Sequence, residues 1–223
     1  MKITNEDNML LMARYPDNYF DLAIVDPPYG INYTGVKNPT DIKGGLKKTK
    51  NYNTNENGKK WDSIRPDLNY FIQLNRVSKN QIIWGGNYFS DFLKPSRGWI
   101  YWDKKITNHN TECFSDGELA WTSFDCILRK FTYDWIGFGY LNNPQKEKKQ
   151  HPTQKPVSLY KWLLDKYAKQ GDKILDTHLG SGSIAVACHD YGFDLTACEL
   201  DKEYFDMAVK RINNHMAQTK LFT

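Results

Sequence analysis

Residues 171–201 constrain the fold of this chain more than any other stretch. Lys173-Ile174-Leu175-Asp176 is a short apolar run of the length of a buried strand. It leads into Thr177-His178-Leu179-Gly180-Ser181-Gly182-Ser183, and then into a helical segment of mostly small residues from Ile184 to Tyr191, which Gly192 stops. Asp194-Leu195-Thr196-Ala197-Cys198-Glu199 reads as the next strand, and a helix from about Lys202 to Met216 follows. Strand, glycine-rich turn, helix and strand in that order make a βαβ unit, which commits the chain to the α/β class.

The turn of this unit is also a candidate site. Glycines at 180 and 182 let the backbone approach a ligand closely, and the N–H groups of a helix start point at it. Glu199 lies 17 residues after Gly182, near where a Rossmann-like fold places a carboxylate on ribose hydroxyls. Ala185 stands at the third glycine position of the dinucleotide fingerprint, which is its relaxed form. The unit alone points to a nucleoside ligand and leaves NAD open. A purely structural crossover with Glu199 in solvent is the alternative.

A second feature lies near the other end. Leu22-Ala23-Ile24-Val25 is a buried-strand run, and Asp26-Pro27-Pro28-Tyr29 follows it directly. Neither proline can donate to a ladder, so the pair ends the strand and stiffens what comes next. A rigid corner results, carrying one carboxylate, the Pro27 carbonyl and an aromatic ring. In open α/β sheets ligands bind at the carboxyl ends of strands. Such a corner can grip a planar ring bearing an amino group, with acceptors for its N–H bonds and a face for stacking. A Pro-Pro turn with Tyr29 packed and Asp26 capping a neighbour is the plain alternative.

The chain has 223 residues, the size of one ordinary domain. No apolar run approaches a membrane span, and residues 1–7 hold no signal-peptide core. Cys113, Cys126, Cys188 and Cys198 form no C-x-x-C pair and no ordered spacing with histidines, so reduced thiols, a cytoplasmic location and no metal site are expected. The net charge of +4 is uneven. Residues 35–60 carry Lys37, Lys43, Lys47, Lys48, Lys50, Lys59 and Lys60 against Asp41 and Glu56, a local +5, and the rest of the chain is −1. This stretch is rich in Gly and Asn and lacks hydrophobic periodicity, as a long mobile loop does. Because it begins just after the Asp26 corner, its lysines are placed to neutralise phosphates.

Elsewhere the pattern predicts a strand at Ile3-Thr4, a helix over Asn8–Tyr15, a helix over Pro66–Val77 and a strand over Gln81–Trp84. A short helix through Phe92 and a strand over Trp99–Trp102 follow. Glu118–Thr122 and Cys126–Phe131 are expected to pair as a hairpin. Val157–Gln170 reads as a helix behind His151-Pro152-Thr153-Gln154-Lys155-Pro156. Trp99 and Trp102 suit either a core or a stacking platform.

Taken together, Asp26-Pro27-Pro28-Tyr29, Asp176-Thr177-His178-Leu179-Gly180-Ser181-Gly182-Ser183 and Glu199-Leu200-Asp201 resemble the amino-group DNA methyltransferases that use S-adenosylmethionine (SAM). The order is that of the permuted β group: target corner first, then His-Pro-Thr-Gln-Lys-Pro, then the glycine-rich motif. The likeness covers residues 1–31, 81–102 and 151–216. It implies a Rossmann-like methyltransferase fold, a mostly parallel seven-stranded sheet with helices on both faces, in one domain over 1–223. A mobile basic loop at about 35–60 and a small target-recognition insert at about 103–150 would belong to it.

The resemblance also implies roles. Asp26 and the Pro27 carbonyl would each accept one N–H of the target amino group, and Tyr29 beyond Pro28 would stack on an extruded base. Asp176, Thr177, His178, Gly180, Ser181 and Gly182 would surround the methionine end of SAM, with Lys155 near its carboxylate. Glu199, Leu200 and Asp201 would meet the ribose side, and Asp7 the adenine. His178 stands where the family commonly has Phe, and it receives no catalytic role. The implied activity is methyl transfer to N6 of a flipped adenine in DNA. N4-cytosine as target, RNA as substrate, and a SAM- or DNA-binding module without turnover remain alternatives. Asp at position 26 favours adenine, since the cytosine enzymes more often resemble a Ser-Pro-Pro form. The short insert implies loose recognition or a second subunit. Lys104, Lys105, Asn108, His109 and Asn110 have chemistry for base edges and phosphates, and an ordinary solvated loop explains them equally well.

Overall fold

The computed structural model describes residues 1–31, 62–104, 115–133, 135 and 154–219. The seven lysines from Lys37 to Lys60, together with Lys105, Asn108, His109, Asn110 and His151–Thr153, lie outside the described residues.

Among the described residues eight strands form one sheet: β1 (Lys2–Asn5), β2 (Phe20–Val25), β3 (Ser78–Trp84), β4 (Trp99–Asp103), β5 (Gly117–Thr122), β6 (Arg129–Thr132), β7 (Lys173–Asp176) and β8 (Asp194–Glu199). Their spatial order is β1-β8-β7-β2-β3-β5-β4-β6. The five strands from β1 to β3 run parallel, β5 is antiparallel to both β3 and β4, and β6 is parallel to β4. Among the described residues five α-helices flank the sheet: α1 (Asn8–Ala13), α2 (Leu68–Val77), α3 (Val157–Tyr167), α4 (Ser183–Tyr191) and α5 (Lys202–Thr219).

The central strands are apolar throughout because both faces of the sheet are covered. Along β2, Leu22 and Ile24 enter a core with Leu159 and Leu163 of α3, Ile184 and Ala187 of α4, and Ile212 of α5. Ala23 and Val25 point the other way, into a core with Leu11 and Met12 of α1 and Tyr70, Phe71 and Leu74 of α2. A fully buried Leu or Ile contributes about 1.5–3 kcal/mol. The starts of α1, α2 and α5 are set by acidic caps, while α3 begins after Pro156 and α4 after Gly182 without a side-chain cap. The carboxylate of Asp7 accepts from the Met9 and Leu10 N–H groups at 2.8 and 3.3 Å, that of Asp67 from Tyr70 N–H at 3.1 Å, and that of Asp201 from Glu203 N–H at 2.9 Å.

One expectation from the resemblance and two from the pattern are corrected. The sheet has eight strands, not seven, and the segments at 118–131 do not pair as a hairpin, because β4 lies between β5 and β6. Burial explains this. Ala120, Trp121 and Thr122 of β5 are all buried, so β5 needs a neighbour on each side. Arg129 and Lys130 of β6 are exposed, which suits a sheet edge. The helix expected through Phe92 is only a 3-10 turn over Gly86–Tyr88. Trp102 is a core residue, and half-buried Trp99 donates its indole N–H to Ser96 O at 2.9 Å. No helix among the described residues is long and apolar enough to cross a membrane.

β2 and β7 are adjacent and parallel, with Ala23 opposite Leu175. Asp26 and Asp176, separated by 150 positions in the chain, therefore leave the sheet at the same edge. It is here that the chain order along the sheet jumps, which is where open α/β sheets form their ligand crevice.

Candidate active site

The crevice is a cavity of about 950 Å³, within the range of small-molecule sites. Asp26 and Pro28 line it from the β2 side, and Thr177 to Ser181, Glu199, Leu200 and Asp201 line it from the β7 and β8 side. The two half-sites thus open into one space.

On the β8 side the geometry is local. Glu199 accepts the Gly180 N–H on Oε2 at 2.9 Å and the Asp201 N–H on Oε1 at 3.0 Å. Burial raises its pKa against the pull of these donors. Gly182 has φ +76°, and a Cβ there would stand 3.2 Å from Ile212 Cδ1 and 3.3 Å from Ala208 Cβ, so α5 can pack close only on a glycine. Ser181 is buried, and its carbonyl accepts from Arg211 Nη1 at 2.8 Å. Asp7, beside Glu6 on the lining, has one carboxylate oxygen committed to capping α1.

Behind this surface sits a neutral polar chain. His178 Nε2 meets Asn8 Nδ2 at 3.1 Å, and its Nδ1 meets Thr177 Oγ1 at 2.9 Å. Thr177 Oγ1 in turn meets the Tyr70 hydroxyl at 2.7 Å. Burial pushes His178 down to about 3, so the ring is neutral at physiological pH. Since the Asn8 amide nitrogen donates, Nε2 accepts and Nδ1 carries the proton. Asp176 is buried below the lining, accepts the His178 N–H at 2.9 Å, and is pushed by burial up to about 8.

The corner after β2 is built differently. The Tyr29 hydroxyl donates to Asp26 Oδ1 at 2.7 Å, and the Lys155 ammonium donates to Asp26 Oδ2. Burial pushes the Asp26 carboxyl above the usual range, with Lys155 pulling against it. The carboxylate of buried Asp62 accepts the backbone N–H groups of Tyr29 at 2.6 Å and Gly30 at 3.0 Å, which fixes the path of the turn. The Tyr29 ring lies against Gly85, whose φ is +68° and where a Cβ would fall 2.2 Å from Tyr29 Cε1. It also stacks on Tyr88, with centroids 4.8 Å apart and planes 15° apart. Pro27 is buried. Lys155 lines the cavity, but its ammonium lies on Asp26 and, at 3.1 Å, on Glu118 of β5.

Of the expected residues, Asp7, Asp26, Pro28, Lys155, Thr177, His178, Gly180, Ser181, Glu199, Leu200 and Asp201 line one cavity. Pro27, Tyr29, Asp176 and Gly182 support it from behind. The pattern alone did not single out Asp62, Gly85, Tyr88 or Glu118, which come from segments distant in sequence. Only an acidic residue inside a strand hinted at Glu118.

Residues 20–210 match a protein family described as DNA methylase, the N6/N4 group. The chain is 23% identical over 251 residues to type II methyltransferase M2.DpnII of Streptococcus pneumoniae, covering 95% of this chain and 89% of that protein. It is 32% identical over 77 residues to type II methyltransferase M.HpaI of Haemophilus parainfluenzae, covering 34% of this chain and 24% of that protein. Among solved structures, the M1.HpyAVI-SAM complex superposes with a TM-score of 0.55 at 19% identity, covering 94% of this chain and 98% of that one. The cytosine-N4-specific PvuII DNA methyltransferase superposes with a TM-score of 0.57 at 13% identity, covering 96% and 90%. At these identities the structural likeness speaks for the fold.

Proposed function

The chain belongs to the N6/N4 DNA methylase family, and on that premise we propose that it transfers a methyl group to the exocyclic N6 of an adenine flipped out of DNA. The observation that carries this reading is the single cavity lined by both Asp26 and Gly180.

The donor is SAM, and the residues present fit it. Glu199 and Asp201 line the cavity beside the glycine-rich turn and supply acceptors for the hydroxyl-bearing part of the donor. Glu199 keeps lone pairs beyond the two backbone N–H groups it accepts, enough for ribose hydroxyls. When bound, SAM supplies an electrophilic methyl group. Leu200, 70% exposed at the lining, offers an apolar wall for an adenine ring.

Asp26 acts as a hydrogen-bond acceptor for the target amino group, with the Pro27 carbonyl as its partner. An adenine amino nitrogen is a weak nucleophile because its lone pair is delocalised into the ring. Two acceptors favour a more tetrahedral nitrogen with the lone pair directed outward. Positioning and electrostatics then supply most of the rate. Extruding the base costs roughly a few kcal/mol, offset in part by stacking on Tyr29. Because Tyr88 already covers one face of that ring, an arriving base exchanges with Tyr88. Lys37 to Lys60 neutralise backbone phosphates, and the segments within 103–150 outside β5 and β6 read sequence, alone or with a second subunit.

The test is transfer of a labelled methyl group from SAM to DNA by the purified protein. Asp26→Ala should lose transfer while binding SAM with unchanged affinity. Nucleoside analysis of the product should give N6-methyladenine. N4-methylcytosine would move the target to cytosine, and no transfer to any DNA would refute the activity.

A further inference from the structure

We propose that Glu118 is a positioning residue for this transfer, acting through Lys155 on the Asp26 carboxylate. The inference rests on the functional reading above. Glu118 lies on β5 opposite Trp102 of β4. Its Oε2 is 3.1 Å from Lys155 Nζ, and its Oε1 is 2.6 Å from Lys104 Nζ. Lys155 Nζ in turn donates to Asp26 Oδ2 and stands 3.5 Å from the Tyr29 hydroxyl. Four groups of alternating sign, Asp26, Lys155, Glu118 and Lys104, thus run from the cavity into the sheet with formal charges that sum to zero. Asp26 and Lys155 line the cavity and Glu118 does not. Glu118 can reach the reacting atoms only through the lysine.

The environment makes this arrangement costly to build for stability alone. Lys155 is 4% exposed. Its ammonium lies 5.2 Å from the Trp84 ring centre, and that of Lys104 lies 5.1 Å from the Trp102 ring centre. Lys155 is buried and its three neighbours in the chain are half-buried, and ion pairs drawn out of water in this way are often matched or bettered in stability by apolar residues of the same volume. Its chemical consequence is specific. The ammonium sits closer to Asp26 than to Glu118, so it screens the Asp26 charge, and Glu118 opposes that screening from the far side. A second carboxylate shares the ammonium and fixes its position. Burial would raise the Glu118 carboxyl, and Lys155, with Lys104 behind it, instead holds it at about 2, so Glu118 stays ionised. The other titratable groups facing the chain are Tyr29, Tyr160 of α3, Tyr70 of α2 and Asp176 of β7.

The experiment compares wild type, Glu118→Gln, Glu118→Asp and Lys155→Met. One readout is the pH profile of single-turnover methyl transfer. The other, which needs no turnover, is the carbon-13 titration of the Asp26 carboxyl in Asp-labelled protein, assigned with Asp26→Asn. Glu118 raises the Asp26 titration by its charge, and Lys155 lowers it. Glu118→Gln should therefore move the Asp26 titration and the acid limb of the rate to lower pH, and Lys155→Met should move both to higher pH. Glu118→Gln should lower kcat by roughly 10- to 100-fold, with SAM affinity unchanged, and Glu118→Asp should restore much of the profile. Should Glu118→Gln not fold, Lys104→Met gives the same test from the other end, with the Asp26 titration moving up. An Asp26 titration that stays put in folded Glu118→Gln, or shifts of the same sign in the Gln and Met variants, would overturn the inference. Opposite shifts without methyl transfer by wild type would uphold the coupling and sink the functional reading instead.

Discussion

The two halves of the cavity are built on different principles. The side formed by β7 and β8 is held by neighbours in sequence and by backbone: Gly180 N–H on Glu199, Asp201 N–H on Glu199, His178 N–H on Asp176. The corner after β2 is held by side chains from far along the chain. Asp62 fixes its backbone, Gly85 and Tyr88 seat its ring, and Lys155 and Glu118 set the charge on its carboxylate. A ligand bound mainly through its own hydroxyls and charges needs a fixed cradle. A base that must be extruded and gripped needs a corner whose shape is enforced from several directions.

That contrast can be broken most sharply at Gly85. Gly85→Ala places a Cβ inside the Tyr29 ring and asks Ala to hold φ +68°. Methyl transfer should fall by about 100-fold or more through misplacement of the corner, with SAM affinity by calorimetry nearly unchanged. Loss of SAM binding as well would show that the halves are not separable. Asp62→Ala should act in the same direction and less strongly. It strands two N–H groups, a cost of about 1–3 kcal/mol for each that stays dry, and transfer should drop by roughly tenfold through a smaller shift in corner geometry.

The opposite half is sharpened by Glu199→Gln. An amide in place of the carboxylate keeps the shape and weakens the hydrogen bonds by loss of charge, a cost of about 1.5 kcal/mol in all. SAM affinity should weaken by about tenfold, while the rate at saturating SAM stays close to wild type. The smallest effect is expected at Asp176, where burial pushes the folded-state pKa from the ordinary carboxylate range up to about 8. A raised acid favours folding while protonated, and that advantage is lost as pH rises through the folded value. Asp176→Asn should therefore raise Tm at pH 8–9 by a few degrees and leave it unchanged near pH 4. A lower Tm at pH 8 would mean that Asp176 is stabilised there as a carboxylate.

Legibility in the sequence followed the same divide. The βαβ unit, the strand before Asp26 and the glycine-rich turn were readable because apolar runs and glycines report local backbone needs. The hairpin at 118–131 was misread because pairing partners depend on which edges need cover, and β4 supplied the cover. Lys155 was read as a partner for a ligand carboxylate. Its ammonium instead lies between Asp26 and Glu118, which only the juxtaposition of β2, β5 and the start of α3 could reveal.

By itself the sequence determined the α/β class, the two half-sites and the chemistry each can offer, because those depend on residue type and short-range spacing. The tertiary structure decided that β2 and β7 lie side by side, that a buried lysine divides itself between two carboxylates, and that Gly85 and Tyr88 hold the Tyr29 ring. Those outcomes depend on contacts between residues 37 to 152 positions apart, which strand order and packing establish and no local pattern encodes.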